Sequence, residues 1–149
     1  MNAERIQRIF AVNVTGSFLC AREAVKRMST KYGGKGGSIV NLSSGAAKYG
    51  SPGEYVDYAA SKAAIDTLTI GLAKEVAEEG IRVNAVRPGF IDTEIHQSGG
   101  EPDRMERVRP LVPMKRVGQA DEVADAIMWL LSDKASYTTG TILDVSGGR

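Results

Sequence analysis

The sequence is poor in the residues that build cross-links and metal centres: it has one cysteine, Cys20, and one histidine, His96. A single cysteine cannot form an internal disulfide, which suits a reducing compartment. Cys20 falls in an apolar helical pattern and reads as a small buried hydrophobe. His96 lies in an irregular stretch, where a lone histidine is normally solvated, and no metal site is expected. An excess of charge of either sign is also lacking. Nineteen Lys+Arg stand against eighteen Asp+Glu, a formal net charge of +1. No block of like charges occurs, so neither nucleic acid nor an anionic membrane surface is an expected partner. No run approaches the roughly 18 apolar residues of a membrane span. The N-terminal MNAERIQRIF is charged and has no apolar core of the signal-peptide kind. The expectation is a cytoplasmic protein. What remains, 42% hydrophobic and 25% charged residues in a chain of 149, suits one globular domain with a sizeable core.

Along the chain, apolar residues recur at helical spacing from Asn2 to about Tyr32 through Ile6, Phe10, Val14, Phe18, Val25 and Met28. This predicts one long helix, or a helix with an irregularity near Thr15-Gly16, stopped by KYGGKGG at 31–37. SIVNLSS (38–44) reads as a buried strand and GAAKYGSPGE (45–54) as a loop. Helical spacing returns from about Tyr55 to Glu79, and Gly80 ends it. IRVNAVRPG (81–89) is a second strand closing on a Pro-Gly turn. Residues 90–120 are polar, irregular and rich in breakers, a length that is usually functional. A third helix follows from Asp121 to Leu131, where Met128, Trp129 and Leu130 read as core or subunit interface. GTILDVSGG (140–148) is a third strand. Alternating strands and helices predict an α/β fold with a parallel sheet of about three strands flanked by long helices.

The stretch YAASK places Tyr58 and Lys62 four apart, one above the other on a helix face. A phenol titrates near ~10, and a neighbouring cation lowers that value. Such a pair can exchange a proton with an alcohol or carbonyl oxygen. By spacing alone, two solvated helix-surface residues explain the motif better. The surroundings point the other way. Ser43 and Ser44 end the preceding strand, where open parallel sheets bind ligands, although serines there are ordinarily turn or N-cap residues. Pro88 and Gly89 end the next strand in a turn that lets a ligand approach the backbone. Tyr55 has Ala59, not a lysine, four residues on, and is not the acid–base.

IVNLSS, then YAASK, then IRVNAVRPG, with VNVTGSF before them and DVSGG at the end, resembles the short-chain dehydrogenase/reductase family across essentially the whole chain. The resemblance implies hydride transfer between NAD or NADP and a small alcohol or carbonyl substrate. It implies that Tyr58 is the general acid–base and that Lys62 lowers its pKa and binds the nicotinamide ribose. Ser44, rather than Ser43, would polarise the substrate carbonyl. Asn13 would support a proton-relay water near the lysine, which would also account for an irregular helix near Thr15. Pro88, Gly89, Ile91 and Thr93 match the segment lying against the nicotinamide, and residues 94–115 match a mobile substrate lid. Homodimers or homotetramers formed through helices 2–32 and 55–79 are implied as well.

The family's TGxxxGxG loop, which cradles the cofactor pyrophosphate at a helix N-terminus, does not occur in these residues. Neither does the residue that selects NAD or NADP. The chain therefore looks like the C-terminal part of a doubly wound, Rossmann-like domain, with its innermost strand presenting an open edge. A different reading is a non-catalytic oligomerisation module that keeps the helix-pairing surface without the cofactor site.

Overall fold

A computed structural model describes residues 1–93 and 104–149. The long N-terminal helix is interrupted. Helix α1 (Ala3–Phe10) opens on Asn2, whose side chain accepts from Arg5 N, and gives way to a π-helical turn at Ala11–Thr15. Helix α2 (Gly16–Met28) continues the rod. Strand β1 (Gly37–Leu42) is followed by a short helix α3 (Ala46–Tyr49) inside the expected loop. The second long helix, α4, spans Val56–Val76 and tightens into a 3₁₀ turn at Ala77–Glu79 before Gly80 (φ 75°) releases it. Strand β2 covers Ile81–Pro88.

Strands β1, β2 and β5 (Ile142–Val145) form one parallel sheet in the order β1-β2-β5. Period-two alternation sends β2 side chains to both faces. Ile81 and Val83 join Ala73 and Val76 of α4 in one core, with Val25 and Met28 of α2 packed against it. Val86 faces the other way, into a core with Val123 and Leu130 of helix α6 (Ala120–Leu131). Helices therefore cover both faces, as the sequence pattern requires. Arg82 and Asn84 of β2 serve the α6 side. Arg82 donates to Leu130 O, Ser132 O and Thr138 O, satisfying carbonyls at the end of α6. β1 hydrogen-bonds a strand on one side only among the described residues, and its terminal Leu42 is 53% exposed.

Two expectations change here. Cys20 is exposed, not buried. The buried side of α2 runs through Ala21, Val25 and Met28, and Cys20 stands about 100° away from that line. The described parts of the stretch 90–120 also hold more regular structure than the composition implies. Its ends are the short strands β3 (Ile91–Asp92) and β4 (Gly118–Gln119), which pair in parallel as a separate two-stranded sheet. Between them lie α5 (Arg104–Val108) and a 3₁₀ turn at Arg109–Leu111, anchored by buried Val108 and Val112. Of the expected lid, residues 94–103, with His96, fall outside the described residues. At the start of α6, Glu122 accepts from Gln119 N at 2.8 Å and is forked by Arg116 at 2.8 and 2.6 Å. The Arg116 guanidinium, with the Gln119 amide, holds the Glu122 carboxyl down at about 2. The outer residues of α6 differ from Leu130: Met128 and Trp129 are exposed while Leu130 is fully buried.

Candidate active site

Tyr58 and Lys62 project from one face of α4, with the Lys62 ammonium 5.7 Å from the centre of the Tyr58 ring. Lys62 Nζ donates to Leu42 O, the last carbonyl of β1, at 2.7 Å. In return Ser43 Oγ donates to Lys62 O at 3.2 Å. These two bonds clamp the carboxyl end of β1 onto α4 beside the tyrosine. Ser43 is buried by this role, whereas Ser44 is half-buried and its Oγ accepts from Ala46 N at 3.1 Å. Of the serine pair, Ser44 is thus the one whose hydroxyl faces the start of α3 rather than the helix backbone.

Pro88 and Gly89 come to the same edge through backbone bonds. Gly45 N donates to Pro88 O and Gly89 N to Val145 O, both at 2.9 Å. A Cβ at Gly89 would stand 2.8 Å from Ser146 Cα, so only glycine allows the β2 and β5 ends to lie this close. Ile91 is half-buried against the α6-side core, and Thr93 is exposed just past β3. No described contact joins Thr93 to Tyr58 or Lys62.

Asn13 sits in the π-helical turn, one extra residue wound into the helix. Its amide donates to Ser61 Oγ at 3.0 Å, and Ser61 Oγ donates to Tyr58 O at 2.7 Å. Asn13 therefore meets α4 between the tyrosine and the lysine, through a fully buried serine. Ser61 was not anticipated. Its place in YAASK, three after the tyrosine, was the available signal. Asp57 was missed too: it is buried, takes Arg5 Nε at 2.6 Å and pins α1 to the start of α4. The Arg5 guanidinium holds the Asp57 carboxyl below the usual carboxylate range.

A cavity of about 480 Å³ opens at the carboxyl ends of β2 and β5, lined in part by Phe90, Ile91, Val145 and Arg149; of the candidate site residues only Ile91 lines it. The Arg149 guanidinium lies 4.6 Å from the Phe90 ring centre and 5.1 Å from that of Tyr49. Among the described residues no three His, Cys, Asp or Glu side chains converge on a point where a metal ion could sit, and no helix is long and apolar enough to cross a membrane.

The family model described as enoyl-(acyl carrier protein) reductase matches residues 1–149. The chain belongs to the short-chain dehydrogenase/reductase family. Within this family it is 68% identical over 149 residues to the uncharacterized oxidoreductase YgfF of Escherichia coli K12, covering all of this chain and 60% of that relative. It is 43% identical over 146 residues to 3beta-hydroxysteroid dehydrogenase 1 of Eggerthella lenta, covering 97% of this chain and 55% of the relative. Among solved structures it is similar to acetoin dehydrogenase YohF from Salmonella typhimurium, with a TM-score of 0.83 and 38% identity over 99% of this chain and 56% of the other. The chain thus spans between half and three fifths of the length of these family members. The family match accounts for the parallel sheet and for the clustering at its carboxyl edge.

Proposed function

We propose that the chain carries the catalytic and nicotinamide-side residues of an NAD(P)-dependent oxidoreductase that interconverts an alcohol and a carbonyl. The observation that supports this most directly is the Lys62 ammonium, fixed on Leu42 O and held beside the Tyr58 ring, next to Ser44. The donor set fits a nicotinamide riboside. Lys62 has three N–H groups and Leu42 O takes one, which leaves two for ribose hydroxyls. When bound, the cofactor supplies or accepts the hydride at nicotinamide C4.

The chain's own residues handle the oxygen and the proton. Ser44 Oγ donates to the substrate oxygen and fixes it opposite the tyrosine. In the reducing direction Tyr58 gives its hydroxyl proton to that oxygen, and in the oxidising direction it takes the proton back. The Lys62 cation stabilises the phenolate left on Tyr58. Asn13 and Ser61 hold the Tyr58 turn of α4 in register with the N-terminal rod. Gly89 keeps the floor of the site flat enough for a ring to approach.

Cofactor binding tests this reading. NADH or NADPH titrated into the chain is expected to show saturable nicotinamide fluorescence, weakened at least about tenfold by Lys62→Met. Binding is expected to be weaker than in a protein that carries a glycine-rich phosphate loop, since none is among these 149 residues. Full-strength binding by Lys62→Met would overturn the assignment of the lysine.

A self-association surface is part of the same proposal. Val12 and Leu19, seven apart on the N-terminal rod, and Val56 and Ile70 on α4 are exposed apolar residues on the two helices expected to pair subunits. Val12→Glu combined with Ile70→Glu is expected to lower the mass seen by sedimentation to that of a single chain. An unchanged mass would rule this surface out.

A further inference from the structure

Beneath the candidate catalytic residues runs a line of four alternating charges. Asp66, one turn after Lys62 on α4, receives both Arg87 Nε at 3.0 Å and Arg87 Nη2 at 2.8 Å on its Oδ2. Arg87 is the residue immediately before Pro88, and its Nη1 stands 3.7 Å from Asp144 Oδ1 on β5. Asp144 Oδ2 in turn accepts from Lys48 Nζ of α3 at 3.0 Å. Each member sits on a different segment that carries the site: α4 holds Tyr58 and Lys62, β2 leads into Pro88-Gly89, β5 backs Gly89, and α3 follows Ser44. From this we infer that the Asp66–Arg87 pair is a positioning device for the active site, aligning Lys62 with Tyr58 and keeping Lys62 in its charged form. This rests on the dehydrogenase reading and deepens it.

The inner pair differs from an ordinary surface salt bridge. The Asp66 and Arg87 side chains are only 10% and 20% exposed, against 40% and 35% for Lys48 and Asp144. A pair this dry is screened little by solvent, and cutting it leaves an uncompensated charge inside the fold. The carboxylate is also not spent on the guanidinium. Both Arg87 donors go to Oδ2, while Oδ1 is buried with no hydrogen-bond partner. Lys62 stands at i−4 from Asp66, one turn back on the same face of α4. Burial pulls the Lys62 ammonium below the usual lysine range, and Asp66 is the charge that opposes this pull. Arg87, Asp144 and Lys48 are the charges on the other packed segments, joined to Asp66 by the chain of ion pairs.

The sign of the effect follows. Because burial depresses the Lys62 pKa, the ammonium loses its proton at lower pH than a free lysine. Removing Asp66 deepens that depression, so less of Lys62 stays charged at a given alkaline pH. Asp66→Asn is expected to move the alkaline limb of the pH–turnover profile to lower pH. It should cut turnover about tenfold, the scale on which partners of a reacting group act. Asp66→Glu, which keeps the charge, should restore most of the loss.

The test uses two readouts. Turnover against pH is followed with NADH or NADPH and a carbonyl substrate. The Lys62 side chain is titrated by ¹³C NMR in the 149-residue chain, its signal assigned by loss in Lys62→Met. Because Asp66→Asn strands a buried cation, Asp66→Asn/Arg87→Met is measured alongside to keep a folded comparison. Both variants shifting Lys62 downward, with Asp66→Glu near the parent, supports the proposal. Lower stability with an unmoved Lys62 titration reduces the pair to a structural brace and overturns it. Should Tyr58→Phe retain turnover, the dehydrogenase reading fails while the Lys62 titration still decides the effect of Asp66.

Discussion

Tyr58→Phe is expected to reduce turnover by roughly 10²–10⁴-fold, the contribution of a positioned general acid–base, with little change in fold or cofactor affinity. The substitution removes one oxygen. The bonds that hold residue 58 are to its backbone, from its own N–H to Asp57 and from Ser61 to its carbonyl, and these survive. The ring surface facing Lys62 also survives, so nicotinamide fluorescence titrations should overlay those of the parent. What disappears is the only group in the YAASK stretch that can pass a proton to the substrate oxygen beside a cation. A fall in kcat with unchanged cofactor binding is the signature of an interaction made in the transition state alone. Undiminished turnover would remove Tyr58 from the mechanism, and with it the purpose of the Lys62 clamp.

Asn84→Ala is expected to produce the largest loss of stability, about 2–5 kcal/mol. Asn84 is completely buried in the central strand. Its Nδ2 donates to Thr138 O at 2.9 Å, and its Oδ1 accepts from Thr141 N at 3.1 Å. One side chain thus satisfies a carbonyl and an amide of the segment that leads into β5. Alanine leaves both groups buried without partners and opens a void between β2 and α6. The urea midpoint should fall with an unchanged slope. A shift of only a few tenths of a kcal/mol would show that water or a local rearrangement replaces both bonds. Because Gly89 lies next to Ser146 at the far end of the same strand pair, the variant should also loosen the floor of the candidate site.

These two residues show what kinds of information were legible. Tyr58 and Lys62 could be read because four residues make one helical turn, so their juxtaposition is a local property of the chain. The π-helical turn around Asn13 was foreshadowed by a break in apolar spacing near Thr15-Gly16, again a local signal. Asn84 was visible only as a polar residue in an apolar strand, with nothing to say that it bridges to Thr138 and Thr141. Cys20 was misplaced for a related reason. Periodicity identifies a helix but fixes its buried face only to within about one residue, and Ala21 holds the inner line. The resemblance ranks Ser44 above Ser43 as the substrate-facing serine, and the physical distinction the structure draws between them, the Ser43 bond to Lys62 O, is one that no spacing reveals.

The order of elements, the parallel sheet, the placing of Tyr58 and Lys62 on one helix face and the glycine turn after β2 were determined by the sequence itself. Each depends on residues within a turn or two of one another, or on alternation along a strand. Only the tertiary structure decided which charges work together. Asp66 and Arg87 are 21 positions apart, and Asp144 and Lys48 are 96 apart. Nothing in local propensity pairs them. They meet because parallel strands bring every carboxyl end to one edge of the sheet, where residues distant in sequence share the same few ångströms of low-dielectric space.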